Sequence, residues 1–359
     1  MVLFDNVVTA MGSPNIAFVK YWGKRDEKLI LPYNSNISMT LSQDVLHTTT
    51  SLLFSKKLAG DTLVIDGEKQ NLENKDVKER LWILNKLREM AHTDAKVMIV
   101  SKNDFPAASG LASSASGIAT LVYAANEALE LKLPPRELSI IARQGSGSAC
   151  RSIFGGMVIW HKGNTPDGTD SYAEQVFDER YWPGIVDIIA ITSQKRKKTS
   201  SRAGMRQTVE TNPLYGSRPK AAERRVQEVI DSYHNRDFNR LAEHIMADSN
   251  EMHALMISTR PSIRYLNGVS FEIMDMIEGL NAKSGSNIAA YTFDAGPNAH
   301  IITLKDHEKD VLSALEPLIS RNEVLEVRSA AAGGGPRILK DVSLIDEKPG
   351  LKARKTKGN

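Results

Sequence analysis

Over the first 66 residues, apolar positions alternate with polar ones in short runs closed by turn residues, at 7–10, 16–19, 38–41, 48–54 and 62–66. A period of two predicts strands with one face in a core, several of them close enough in sequence to pair antiparallel. At 77–91 the spacing becomes helical. It predicts a strand at 97–100, a long helix at 110–131, a helix at 134–142 opened by paired prolines, and strands at 157–160 and 185–192. After residue 195 helical spacing dominates, with helices predicted at 221–233, 238–256, 262–266 and 269–284. Two strands, 289–293 and 299–303, bracket a Gly-Pro loop, and a helix at 305–320 and a strand at 323–329 follow. No internal repeat is present. The strand-rich part meets the helix-rich part near residue 190, which divides the chain into 1–190, 191–340 and a tail at 341–359.

Composition narrows the function classes. The 359 residues are 41% hydrophobic and 25% charged, as in an ordinary globular protein, and the length suggests two domains or one large α/β unit. No apolar run approaches the roughly 18 residues that cross a bilayer, and the first residues do not read as a secretion signal. One cysteine excludes an intramolecular disulfide and a multi-cysteine zinc site. The cytoplasm is the expected compartment. A net charge of +3 does not define a nucleic-acid binder, although the tail and the block at 195–198 are locally basic.

Five segments carry candidate chemistry. The run at 103–120 passes from a strand through a Pro turn into Gly, Ala and Ser residues that open a helix. Tiny side chains let an anion approach the unpaired N–H groups there, and Ser113 and Ser114 add hydroxyls that can donate to phosphate or hold a bridging metal. No lysine follows, so it is not the Gly-x-x-x-x-Gly-Lys-Ser/Thr loop. The bland alternative is a small-residue helix start packed on a sheet. A second such run at 144–152 places Arg151 after a Gly-Ser turn, within the first turns of a helix, where its planar fork suits a phosphate or carboxylate. Cys150 inside it has no histidine to activate it and reads as packing. Asp294 sits in the loop between two apolar strands, as a turn cap or a catalytic group. In an extended segment Lys20 and Lys24 share one face and Tyr21 the other, which suggests contact with an anion or else a solvated strand edge. The stretch 193–205 reads as a basic, hydroxyl-rich loop, either a lid over phosphates or solvated surface. Its lack of aromatics argues against stacking on single-stranded nucleic acid. The histidines show no metal-ligand spacing, so no metal ligands are assigned.

Together these runs resemble the diphosphomevalonate decarboxylase family, within the GHMP kinase superfamily. The matching stretches are 15–24 with Arg25 and Asp26, 32–41, 103–117, 143–156, 193–205 with 210–213, and 293–299. The resemblance implies an α+β GHMP-kinase fold, with a ribosomal-protein S5 domain-2-like N-terminal domain and a ferredoxin-like C-terminal domain around a deep cleft. It implies ATP- and Mg²⁺-dependent 3-phosphorylation of mevalonate 5-diphosphate, with loss of phosphate and CO₂ to give isopentenyl diphosphate. By the same resemblance Asp294 and Lys20 are the catalytic residues. Ala17, Tyr21, Lys24, Ser146, Gly147, Ser148, Arg151, Ser201, Arg202 and Met205 match the substrate site, and Ser101, Gly110, Ser113 and Ser114 the nucleotide side. A homodimer acting on a phosphorylated mevalonate, without nucleic acid or membrane, is implied too. The chain departs from the pattern at Ala107, where a threonine is usual, and at Asn36, where a serine is common. Relatives that take mevalonate 5-phosphate, or that decarboxylate mevalonate 3,5-bisphosphate without ATP to give isopentenyl phosphate, stay open as alternatives. A non-catalytic binder of phosphometabolites or nucleic acid is a remoter one.

Overall fold

A computed structural model describes residues 6–105, 113–195 and 197–345. The chain opens with β1 (Val8–Gly12), β2 (Asn15–Val19), β3 (Lys24–Asp26), β4 (Leu31–Pro32), β5 (Asn36–Thr40), β6 (Thr48–Ser55), β7 (Thr62–Ile65) and β8 (Glu68–Lys69). It continues with α1 (Lys75–Met90), β9 (Lys96–Asn103), α2 (Ser113–Ala128), α3 (Pro135–Gly145), a 3₁₀ segment Gly147–Ile153, β10 (Met157–Trp160) and β11 (Ala173–Phe177). The remainder is β12 (Ile185–Ile191), α4 (Ser201–Thr211), α5 (Arg218–His234), α6 (Phe238–Ser258), α7 (Gly268–Ser284), β13 (Ala289–Phe293) and β14 (Ala299–Leu304). After these come α8 (Glu308–Ser320), β15 (Glu326–Ala331) and β16 (Arg337–Leu339).

Three main sheets result, in strand orders β16-β1-β6-β9-β7-β8, β11-β10-β5-β2 and β13-β14-β12-β15. In the first, α2 packs on β1 and β6 over a core built from Leu52, Phe54, Ile99, Val122 and their neighbours. In the third, the central strand β12 is buried along its whole length. Its period of two splits the side chains between two cores: Ile185, Ile189 and Ile191 meet α5 and α6, while Ile188 and Ala190 meet α7 and α8. Covering both faces is why β12 reads as a continuous apolar run rather than an alternating one. The exception, Asp187, is fully buried and pairs with His300 of β14 at 2.7 Å. Helix α6 packs on α5, on β13 of the third sheet and on β2 of the second, so it joins strands from both halves of the chain.

Several expectations change. The predicted helix at 262–266 is extended chain: Ile263 donates its N–H to the carbonyl of Met256, and Ile263 and Tyr265, two residues apart, both bury into an apolar cluster. Five residues close too few helical hydrogen bonds to offset nucleation. The supposed loop at 193–205 ends in α4, begun by Ser200, whose hydroxyl accepts from the N–H of Ala203; a Ser N-cap supplies the missing acceptor. Arg151 lies in the 3₁₀ segment, not an α-helix. The helix predicted at 305–320 splits into a 3₁₀ turn, Lys305–His307, and α8. The strand predicted at 323–329 occupies Glu326–Ala331, and β3, β4, β8, β11 and β16 are additional. The tail beyond 345 lies outside the described residues.

Lys20 and Lys24 do not share a face. Strand β2 ends at Val19 and β3 starts at Lys24, and between them Gly23 takes φ +117°, a conformation that favours glycine. Tyr215 closes this turn by donating its hydroxyl to the Trp22 carbonyl at 3.0 Å. A Cβ on Gly23 would meet that hydroxyl at 1.8 Å. Gly23→Ala is therefore expected to cost about 3 kcal/mol, from backbone strain and displacement of Tyr215 together. Its urea unfolding midpoint, compared with that of the parent, checks this.

Candidate active site

Asp294 follows directly on β13, in the tight loop before β14, where the Gly296 N–H donates to its carbonyl at 2.8 Å. Its carboxylate accepts from Lys20 Nζ at 2.8 Å, joining side chains 274 residues apart. The Lys20 side chain is 2% exposed and that of Asp294 30%, so the pair opens on the carboxylate side. Burial pushes the Asp294 carboxyl up, but Lys20, with His300 and Arg151 behind it, outweighs burial and holds it below the usual carboxylate range. Asp294 is thus ionised at neutral pH.

The second run brings up Arg151, almost wholly buried. Its Nε donates to Ser38 Oγ at 2.8 Å and to Asn15 Oδ1 at 3.2 Å, its Nη2 to Asn15 Oδ1 at 3.0 Å, and its Nη1 to Asn36 Oδ1. All of these acceptors are neutral, and among the described residues no carboxylate lies within ion-pair distance. A buried guanidinium in that state has charge left to offer an anion. Gly147 allows Tyr21 to approach: a Cβ there would lie 2.6 Å from the Tyr21 ring. That ring meets Trp160 edge-on at 4.7 Å, and its hydroxyl is buried with no hydrogen-bond partner among the described residues. Ser146 Oγ lies 3.3 Å from Ser114 Oγ, which sets the second run against the start of α2. Ser148 accepts from Asn15 through its carbonyl, and Ala17 is buried on β2. The orphaned Tyr21 hydroxyl, the spare N–H groups of Arg151 and the serine hydroxyls form a donor set that fits phosphate. Burial pushes the Cys150 thiol up to about 12; it donates to the Gly147 carbonyl and belongs to the packing.

The remaining predicted residues divide. Lys24 pairs with Glu27, and burial lowers it against the pull of that carboxylate. Ser201 opens α4 and accepts from Lys197, which also reaches the Ala295 carbonyl beside Asp294. Arg202 donates to the Gly145 carbonyl at 2.7 Å and to Glu79 of α1 at 3.1 Å. Met205 packs with Trp22, Met252, Met256 and Ala295. Ser101 pairs with Thr50 within the first sheet. Gly110 and Ala107 lie outside the described residues, and so does the Ser113 side chain. Among the described residues no group of three or more His, Cys, Asp or Glu could hold a metal ion.

Sequence reasoning missed the buried groups behind the pair. Asp248 on α6 accepts from the Lys20 backbone N–H at 2.7 Å and is held by Arg218 and Arg225. The signal was present, since Leu241, Ile245, Asp248, Ser249 and Met252 lie on one helical stripe, and a carboxylate on an apolar stripe requires partners. His253, on the same helix, faces the Phe293 carbonyl; burial, aided by Lys20, lowers it to about 4.

The chain matches the model "Diphosphomevalonate decarboxylase-like N-terminal domain" over residues 12–173 and "Mevalonate 5-diphosphate decarboxylase C-terminal domain" over 187–340. It is 41% identical to the diphosphomevalonate decarboxylase of Schizosaccharomyces pombe over 94% of this chain and 95% of that one. Among solved structures, the mevalonate diphosphate decarboxylase from Enterococcus faecalis superposes with a TM-score of 0.82 at 35% identity, covering 93% of this chain and 99% of that one. A complex with MVAPP, AMPPCP and magnesium gives a TM-score of 0.82 at 36% identity, with the same coverage. No described helix is long and apolar enough to cross a membrane.

His253 is neutral when folded and protonates more readily when unfolded. The unfolded state therefore binds the extra proton between about 4 and 6.5, and stability must fall as pH drops through that window. The loss is expected to reach roughly 3 kcal/mol. Urea unfolding measured across this range should show the slope, and His253→Gln should flatten it.

Proposed function

The chain belongs to the diphosphomevalonate decarboxylase family, and we propose on that premise that it converts mevalonate 5-diphosphate to isopentenyl diphosphate with ATP as phosphoryl donor. The observation that carries this reading is the Lys20–Asp294 pair together with a buried Arg151 that has no carboxylate within ion-pair distance among the described residues. The matching complex with AMPPCP, an ATP analogue, and magnesium supports nucleotide use.

The 3-hydroxyl of the substrate is tertiary and leaves poorly until it is phosphorylated. Asp294, ionised and open on one side, accepts the hydroxyl proton as the oxygen attacks the γ-phosphoryl group of ATP. Lys20 holds that carboxylate in place and offsets negative charge on the group in transfer. When phosphate departs, C3 becomes electron-poor, and the pair of the bond to the carboxylate carbon moves in to form the double bond as CO₂ leaves. Arg151, Tyr21 and the hydroxyls of Ser146 and Ser148 hold the 5-diphosphate, and this remote binding fixes C3 against Asp294. Arg202 joins them by exchanging Glu79 for a phosphate. Asp294 and Ser114 would be the protein groups to hold Mg²⁺, which would supply charge neutralisation on the phosphates. We also place the division between lobes near residue 190 and propose a cytoplasmic homodimer, the latter tested by sedimentation equilibrium.

The deciding experiment incubates purified protein with mevalonate 5-diphosphate, 5-phosphate or 3,5-bisphosphate, each with and without ATP and Mg²⁺, and follows CO₂. Release from the 5-diphosphate only with ATP and Mg²⁺ is expected; release from the 3,5-bisphosphate alone would overturn the reading. Asp294→Asn should lower kcat by about 10²–10⁴-fold while KM for the 5-diphosphate stays near the parent value.

A further inference from the structure

We propose that Asp248 and Ser249, neighbours on α6, are positioning residues that set the separation of Lys20 and Asp294. Lys20 lies just past the end of β2, where the pairing with β5 stops at Val19. Its backbone groups are therefore held by side chains. The N–H donates to Asp248 Oδ2 at 2.7 Å, and the carbonyl accepts from Asn34 at 3.2 Å and Arg218 at 3.4 Å. Asp248 is itself fixed, fully buried, by Arg218 at 2.7 and 2.9 Å and by Arg225 at 2.9 Å. Glu251, one turn further along α6, accepts from both arginines and completes the network.

The next residue holds the other partner. Ser249 Oγ accepts at 3.1 Å from the N–H of Phe293, the last residue of β13 and the one before Asp294. Adjacent positions on a 21-residue helix thus grip the main chain beside each member of the pair, at the points where β2 and β13 both run out. A helix turn is stiff, whereas a strand end is not. The Lys20–Asp294 distance is then set by α6 rather than by either sheet, and neither residue need touch substrate.

This inference rests on the reaction proposed above, with a test whose failure is separable from failure of that reaction. Ser249→Ala removes one hydroxyl and is the milder variant, because it leaves the buried ion network intact. It should lower kcat about tenfold while KM for mevalonate 5-diphosphate stays within about twofold. Ser249→Thr, which keeps the oxygen, should recover most of the rate. Asp248→Asn, which keeps an acceptor for the Lys20 N–H but unpairs the arginines, should lose more. A crystal structure of Ser249→Ala should show the Lys20–Asp294 contact lengthened. An unchanged contact overturns the positioning role whatever the protein acts on. So does an unchanged kcat, or a loss of rate that thermal unfolding accounts for entirely. Absence of CO₂ release from the unmodified protein overturns the reaction instead.

Discussion

Lys20 and Asp294 form the contact on which the two halves of this protein converge. Withdrawing an ammonium from water costs several kcal/mol, and a partner recovers that cost only when the geometry is good. Lys20 is buried almost completely and its partner arrives from the far end of the chain, so the charge is tolerable only once both sheets and the helix between them are in place. The site is therefore a product of the whole fold. Substituting hydrophobic residues for the pair would relieve the desolvation cost, so the pair is a weak source of stability.

The same reasoning extends to the charge around the pair. Asp248 shows what this protein does with a buried ion that is structural: two guanidiniums and a backbone N–H saturate it. Arg151 is treated differently, with amide and hydroxyl oxygens and, among the described residues, no carboxylate in ion-pair distance. Arg143, fully buried on α3, is likewise met by carbonyls, those of Gly168 and Ser171.

Much of this was legible in the sequence where chemistry and pattern are local. The Asp294 loop could be read because two strands of clear apolar character flank a Gly-Pro turn, and the bounds of β13 match the expected ones. The long helices α6 and α7 were legible from their spacing. Helix α4 was not, because a block of Lys, Ser and Thr hides its capping serine and its buried residues are only Gly204, Met205 and Thr208. The shared face expected for Lys20 and Lys24 failed at Gly23, a single residue whose backbone ends the strand. Asp248 showed as a carboxylate on an apolar stripe that needs partners, but its bond to the Lys20 N–H and that of Ser249 to the Phe293 N–H join main-chain groups more than forty residues away, and a hydrogen bond to a backbone leaves no trace in residue type.

One topological detail bears on how this molecule could be taken apart. Strand β16, from the far end of the chain, pairs antiparallel with β1 in the first sheet. The second half thus lends a strand to the first, and each half is incomplete alone. Cutting the chain near residue 190 would bare one edge of β1, with a row of unpaired N–H and C=O groups beside an apolar core, the arrangement that invites strand addition from another molecule. The lobes that flank the site are consequently parts of a single cooperative unit, and isolated halves would be prone to self-association.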